Sequence, residues 1–388
     1  MKLSLLPLAL GGLTIGITEF VMMGLLPDIA TDLNITIPKA GHLISAYALG
    51  VVIGAPILVI AGRNFPPKKM LLAMALMLTV FNALSIIAPG YNLLFISRFF
   101  SGLPHGAFFG VGAVVASRLA TKGKEAQSIA IMFSGLTIAN VIGVPIGTYI
   151  GHHFDWRYTF VLITAIGLIT FISLLLWMPN LASSKVDSIK DQLKFFGRLD
   201  AWLIITIVAI GTGGLFCWIS YISPLLTDIS HFSPENVPYI LMLAGLGMVV
   251  GNFLGGHLAD RFSPSVTTLA LLIIMAINLL SVYFFSGNQI ASLILVFITG
   301  SLSFAVIAPI QMLMIQAATG AEMIASASLQ AGFNIGNALG AFLGGLPLVM
   351  GYNYASPNLV GVGMALIGAF VVMIVITRNR KLAQPKTA

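Results

Sequence analysis

Glu19 and Arg98 are the two residues whose chemistry stands out against their surroundings. Each lies inside a long apolar stretch, and no other Asp, Glu, Lys or Arg falls inside any such stretch of the chain. An ionisable group in that setting is costly unless it pairs or exchanges protons as its surroundings change. For Glu19 the magnitudes are close. Protonating a carboxyl of ordinary pKa ~4.3 at pH 7 costs about 3.7 kcal/mol, and placing a charged side chain at a membrane centre costs roughly 2.5 to 3.5 kcal/mol. A modest change of environment then decides whether the proton is bound. Arg98 can supply that change, because a guanidinium within ~4 to 6 Å favours the ionised carboxylate. Counted at 1.5 Å per residue, both groups lie ~10 Å or less from the same end of their stretches. The alternative is a permanent ion pair that only locks two helices together. His105, about two helical turns beyond Arg98 and on nearly the same face, either relays a proton or merely hydrogen-bonds.

The elements that must position these groups are twelve apolar stretches, at 5–26, 41–62, 70–89, 93–116, 128–151, 158–178, 201–223, 238–258, 266–285, 290–315, 324–350 and 357–377. Each meets the roughly 20 residues that a ~30 Å hydrocarbon core requires of a helix. The expected fold class is therefore an all-α membrane protein with twelve transmembrane helices. Composition agrees, with 58% hydrophobic residues, 8% charged residues and a mean hydropathy of +1.01, whereas soluble domains carry about 25% charged residues.

The net charge of +7 could suggest an acidic partner, but its distribution argues otherwise. Assigning the connections alternately to two sides places 16 of the 19 Lys and Arg on one side, leaving only Lys39 and Arg157 on the other and Arg98 within a stretch. Loops rich in Lys and Arg are retained in the cytoplasm, so both termini and the 179–200 segment are expected there, in a bacterial-type plasma (inner) membrane. No nucleic-acid partner is implied. The single cysteine, Cys217, excludes an internal disulfide and any Cys-based metal site. The run after Lys2 carries Glu19 without an obvious cleavage site and is expected to be a retained first helix.

The one long polar interruption, Asn180 to Arg198, divides the stretches into six and six. Expected domains are a six-helix bundle at 1–178, a cytoplasmic linker at 179–200, a second bundle at 201–377 and a cytoplasmic tail at 378–388. Gly50 and Gly54 in stretch two match Gly247 and Gly251 in stretch eight, and Gly143, Gly147 and Gly151 in stretch five match Gly336, Gly340 and Gly344 in stretch eleven. Equal helix count and matching spacing argue for a duplicated unit. Glycines four apart let helices approach closely, so packing is their first reading.

These residues carry a resemblance over nearly the whole length. The chain resembles the major facilitator superfamily, and within it the twelve-helix drug:proton antiporters, most like their sugar-efflux (arabinose-efflux) and chloramphenicol-resistance branch. Arg98-Phe-Phe-Ser-Gly102 is similar to the family's R-x-x-x-G element, and Gly143-Val-Pro145-Ile-Gly147 to its glycine-proline antiporter motif. Thr18-Glu19-Phe20 resembles the acidic position of the branch, Trp156-Arg157-Tyr158-Thr159-Phe160 opens stretch six, and Ser220-Tyr221-Ile222-Ser223-Pro224 closes stretch seven in the family manner. The loop between stretches two and three departs from the family pattern G-x-L-a-D-R-x-G-R-K: Arg63 is present, but the acid and both glycines are missing. The counterpart Gly256-His257-Leu258-Ala259-Asp260-Arg261 keeps Gly, Asp and Arg, so a gate of the family type would lean on Asp260 and Arg261, with Arg63, Gly143, Pro145 and Gly147 as its other parts.

The resemblance also implies a central cavity lined by spans one, four, seven and ten. Its candidate wall residues are Gly16 and Met23, Ser101 and Phe108, Trp218 and Tyr221, and Ser301, Phe304 and Gln311. Gln330, Asn334 and Asn337 form a polar stripe on stretch eleven, which faces either partner helices or the cavity. No nucleotide-binding or hydrolase string appears, so a pump or an enzyme is not expected. The expected function is a secondary transporter that exports a small sugar-like or amphiphilic, drug-like molecule in exchange for protons by alternating access. A proton symporter or facilitator on the same fold, or a non-transporting membrane sensor, are the alternatives. Expected partners are the small-molecule substrate, protons and lipid, with no cofactor, no metal and a monomer as the working unit.

Overall fold

The computed structural model describes residues 3–35, 37–182 and 194–383. Lys2, Lys185, Lys190 and Lys386 of the charge tally, and most of the expected linker, lie outside them. Among the described residues, 12 helical spans are long and apolar enough to cross a membrane. They run Leu3–Leu25, His42–Gly62, Pro67–Ile86, Tyr91–Leu119, Glu125–His153 and Trp156–Trp177, then Leu199–Ile219, Tyr239–Phe262, Pro264–Phe285, Gln289–Ala317, Glu322–Val349 and Pro357–Asn379. By contacts the chain divides into two units, Met1–Leu193 with Thr319–Ala331, and Lys194–Ala318 with Gly332–Ala388.

Glycines set the closest helix contacts inside each unit, and the two halves repeat them. A Cβ on Gly50 would sit 2.2 Å from the Phe99 carbonyl and one on Gly54 2.1 Å from that of Leu103, so the second and fourth spans meet backbone to backbone. The eighth and tenth spans meet the same way, with Gly247 against the Phe297 carbonyl and Gly251 against that of Ser301. In the fifth span Gly143, Gly147 and Gly151 receive Ile17, Val21 and Leu25 of the first span, and in the eleventh Gly336, Gly340 and Gly344 press on the seventh at Ala209, Gly213 and Cys217. Even a loop device recurs. Gly123 (φ 78°) and Gly320 (φ 86°) adopt the left-handed backbone, and each donates its N–H to the Glu that opens the next span, Glu125 at 3.1 Å and Glu322 at 2.9 Å.

Three spans expected as continuous are interrupted, and a proline accounts for one break in each; the seventh also carries a π-helical turn, Ile207–Gly211, with no proline near it. A proline cannot donate to the carbonyl four residues back, and its ring crowds that carbonyl. Pro309 therefore breaks the tenth span between Gln289–Ala305 and Ile307–Ala317, and Pro224 breaks the seventh after Ser220. Pro145 sits just past a π-helical turn, Ala139–Gly143, which widens the fifth span where the first packs on it. The start of the eleventh span belongs by contacts to the first unit, where Gly110 abuts Ala327 and Gly106 abuts Ala55 and Gln330.

Gly251→Ala places a methyl on the Ser301 backbone, 1.7 Å from its carbonyl oxygen, whereas Gly90→Ala meets nothing within 4 Å. Overpacking of this kind costs about 1 to 3 kcal/mol. Thermal unfolding in detergent is expected to show a lowered midpoint for Gly251→Ala and an unchanged one for Gly90→Ala.

Candidate functional site

The first unit gathers Glu19 from the first span, Tyr47 from the second, and Arg98 and His105 from the fourth. Arg98 is fully buried, and its Nε, Nη1 and Nη2 make no hydrogen bond among the described residues. Its guanidinium lies over the Tyr47 ring, 4.5 Å from the centroid. The Tyr47 hydroxyl is 3.1 Å from His105 Nδ1, and both residues are buried. Glu19 is half-buried and lies within electrostatic reach of Arg98 and Tyr47, but no ion pair joins it to Arg98 among the described residues. A locked Glu19–Arg98 bridge is therefore not the state seen here. His105 hydrogen-bonds to Tyr47, a contact that both of its expected roles allow.

The energetics of Arg98 decide what holds it. A buried ion without a partner costs several kcal/mol, and a desolvated cation–π contact returns about 2 kcal/mol. Glu19, when ionised, lies within electrostatic reach and adds to that contact. The neighbouring hydroxyls donate to backbone carbonyls, Ser101 to that of Arg98 at 2.9 Å, Ser97 to that of Leu94 at 2.8 Å and Thr18 to that of Thr14 at 2.7 Å, and none of them accepts from the guanidinium among the described residues. Asn82 of the third span donates to the Thr18 hydroxyl at 3.4 Å and tethers the Glu19 turn from behind.

A second cluster lies at the end of the first span beyond the apolar core. Asp32 accepts from Arg157 Nη1 at 2.8 Å and Trp156 Nε1 at 3.1 Å, while Arg157 Nη2 donates to the Ala88 carbonyl at 3.2 Å and its guanidinium covers the Trp156 ring at 4.1 Å. The cluster ties the first, third and sixth spans together. Asp155 caps the sixth span through the Arg157 N–H at 2.8 Å, and Thr159 donates to the Gly147 carbonyl at 2.7 Å. The Arg157 hydrogen bond is the main reason the Asp32 carboxyl is held below its usual value of 3.8. At the opposite end, Lys68 donates to the Leu175 and Met178 carbonyls at 2.9 and 2.6 Å, which satisfies the end of the sixth span.

The expected wall residues divide by exposure. Gly16 presses on Ala139 and Leu136 of the fifth span, and the fully buried Phe108 ring covers Gly11. Ser101, Trp218, Phe304 and Gln311 are all buried, and Gln330 lies against Gly106. They were chosen by side-chain type, which does not reveal the face a helix turns inward. Residues that keep accessible surface are Met23 (52% exposed), one turn beyond Glu19, and the half-buried Tyr221, Ser301, Asn334 and Asn337. Tyr221 donates to the Ala341 carbonyl at 2.7 Å.

Of the expected gating residues, Arg63 reaches only the Ile60 carbonyl of its own helix at 3.4 Å, Asp260 is half-buried and engaged, and the exposed Arg261 lies 5.3 Å from the Phe262 ring centroid. Gly143 and Gly147 hold the first span, and Pro145 follows the π turn. Tyr47, Asp32 and Lys68 were not singled out from the sequence. Among the described residues no group of His, Cys, Asp and Glu could hold a metal ion.

Comparisons with known proteins place this geometry in context. A family model described as Major Facilitator Superfamily matches residues 8–328. The candidate transporter AraJ of Escherichia coli is 41% identical over 92% of this chain and 91% of its own length. A chloramphenicol resistance protein of Streptomyces lividans is 29% identical over 97% and 98%, and a candidate sugar efflux transporter of Helicobacter pylori is 29% identical over 94% and 93%. Among solved structures, the fucose:proton symporter FucP of Escherichia coli aligns with a TM-score of 0.79, covering 95% of this chain and 98% of that one at 15% identity, a likeness of fold.

Asp32→Asn removes a partly exposed ion pair worth on the order of 0.5 kcal/mol after solvent screening. A carboxyl held below its usual value contributes stability that is fully present above the unfolded pKa and lost as pH falls through the folded one. The difference in melting midpoint between the parent and Asp32→Asn is therefore expected to be constant near neutrality and to shrink once pH drops below about 3.8.

Proposed function

We propose, from the premise that the chain belongs to the Major Facilitator Superfamily, that this multi-pass membrane transporter exports a small sugar-like or amphiphilic molecule in exchange for protons. The observation that carries the reading is a half-buried Glu19 within electrostatic reach of a buried Arg98 whose guanidinium makes no hydrogen bond among the described residues. Arg98 stays protonated under all ordinary conditions. It acts as a fixed charge, and Glu19 as the group that binds and releases the proton. When the helices rearrange, the distance between the two changes, and with it the proton affinity of Glu19. The names of the relatives, a chloramphenicol resistance protein and a candidate sugar efflux transporter, support outward movement and a sugar-like or amphiphilic substrate.

On this reading Glu19, Met23, Tyr221, Ser301, Asn334 and Asn337 offer the surface that substrate meets. Gly143, Pro145 and Gly147 provide the contact on which the first span shifts, and Arg63, Asp260 and Arg261 belong to the gate. The bundles at 1–178 and 201–377 move as two bodies joined by the 179–200 tether, and the excess of Lys and Arg places both termini in the cytoplasm of a bacterial inner membrane.

Proteoliposomes under an imposed pH gradient test the coupling, with radiolabelled arabinose and chloramphenicol as probes. Gradient-driven accumulation is expected to fall at least about tenfold in Glu19→Gln, the consequence of losing a proton site, while exchange without a gradient persists. Accumulation that is driven equally well in Glu19→Gln removes Glu19 from the coupling role.

A further inference from the structure

We propose that Tyr47 is a positioning residue for the Glu19–Arg98 couple: its ring seats the Arg98 guanidinium beside Glu19, and its hydroxyl anchors that ring to His105. The inference rests on the reading of Glu19 as the proton-binding group. Arg98 and His105 are seven residues apart on the fourth span, so both face the same way, and Tyr47 reaches both from the second span. The ring and the field of Glu19 are the only attachments of the guanidinium recorded among the described residues.

The backbone fixes where the ring stands. A Cβ on Gly102, one turn beyond Arg98, would lie 2.2 Å from the Tyr47 carbonyl, so the two chains touch at this level and the ring has little freedom to shift. His105 is braced in turn, edge-on to Phe109 at 5.3 Å, which stacks on Phe133 at 4.8 Å. Tyr47 itself is 2% exposed, and the titratable groups that face it are Glu19 from the first span and Arg98 and His105 from the fourth.

The second half of the chain supplies an internal control. Gly300 meets the Ala244 carbonyl at 2.2 Å, the same contact that Gly102 makes with Tyr47, so Ala244 is the counterpart of Tyr47. Four residues before Gly300 stands Val296, the counterpart of Arg98. Where the duplicated unit has no buried cation it has no ring either, although the helix contact is kept. A tyrosine needed only to pack the second span on the fourth would not be expected to vanish together with the arginine.

Infrared titration of the full-length protein in lipid vesicles reads the couple without a transported ligand, since a protonated carboxyl has its own carbonyl band and Glu19→Gln identifies it. Tyr47→Phe keeps the π face but loses the anchor to His105, and is expected to move the midpoint of that band less than Tyr47→Leu does. Tyr47→Leu is expected to move the midpoint by about one pH unit or more, a tenfold change in proton affinity. Tyr47→Met, closer in volume, carries the test should the Leu variant fail to assemble. A role in packing alone lowers the melting midpoint without moving the band, so Leu or Met variants that titrate with the parent overturn the proposal. Failure of both to assemble while Phe does so overturns it too, by making the ring a packing element. Absence of any band sensitive to Glu19→Gln sinks the coupling reading and this proposal with it, an outcome distinct from a band that titrates normally in every Tyr47 variant.

Discussion

A guanidinium enclosed by the first unit, with none of its nitrogens hydrogen-bonded, constrains everything around it. In an apolar interior such a group is tolerated only if an aromatic face and an opposite charge share the work of solvation. That requirement explains why Tyr47 must come from the second span and Glu19 from the first. The glycine crossing of the second and fourth spans is the frame on which this arrangement is built: a side chain at Gly102 would meet the Tyr47 backbone and push its ring away from Arg98.

The duplicated halves share a frame and differ in what the frame carries. Glycine contacts between spans two and four recur between eight and ten, those between one and five recur between seven and eleven, and the Gly123 and Gly320 turns end in the same Glu contact. The buried arginine and its tyrosine are not repeated. Val296 and Ala244 occupy the places of Arg98 and Tyr47, and buried polar contacts of the second unit such as Asn278 to Thr299 at 2.6 Å and Ser230 to Ser292 at 3.0 Å join neutral groups. Close packing is a property any duplicate retains, whereas a buried charge persists only where its cost is met.

How much could be read beforehand follows the same physics. Span number was legible because hydrophobic length is a local signal, and so were the close helix contacts, from the glycine spacing. Glu19 and Arg98 were legible because a charge in an apolar run is rare. Tyr47 was not, since a tyrosine in a membrane span has many ordinary uses and only the crossing of two helices assigns it to Arg98. The prolines at 145, 224 and 309 announced their breaks through the carbonyls they cannot serve, but the spans were read as unbroken. Wall residues were the least legible part. Ser101 and Phe108 have suitable chemistry, yet the turn of the fourth span directs the Ser101 hydroxyl to the Arg98 carbonyl and the Phe108 ring to Gly11.

Exposure separates the roles within the site. Arg98, Tyr47 and His105 are buried, so none of them can exchange a proton with solvent directly, and an arginine would not release one in any case. Glu19 keeps accessible surface, and Met23 one turn further on is half exposed, so among these four residues Glu19 is the one with surface to offer. A fixed cation behind an accessible acid suits the proposed coupling, because the field persists while the proton comes and goes. Were the exposure reversed, with the arginine open and the acid enclosed, water would screen the cation and the acid would hold one protonation state throughout. The order of burial, more than the presence of two charges, is what makes the pair capable of responding to helix movement.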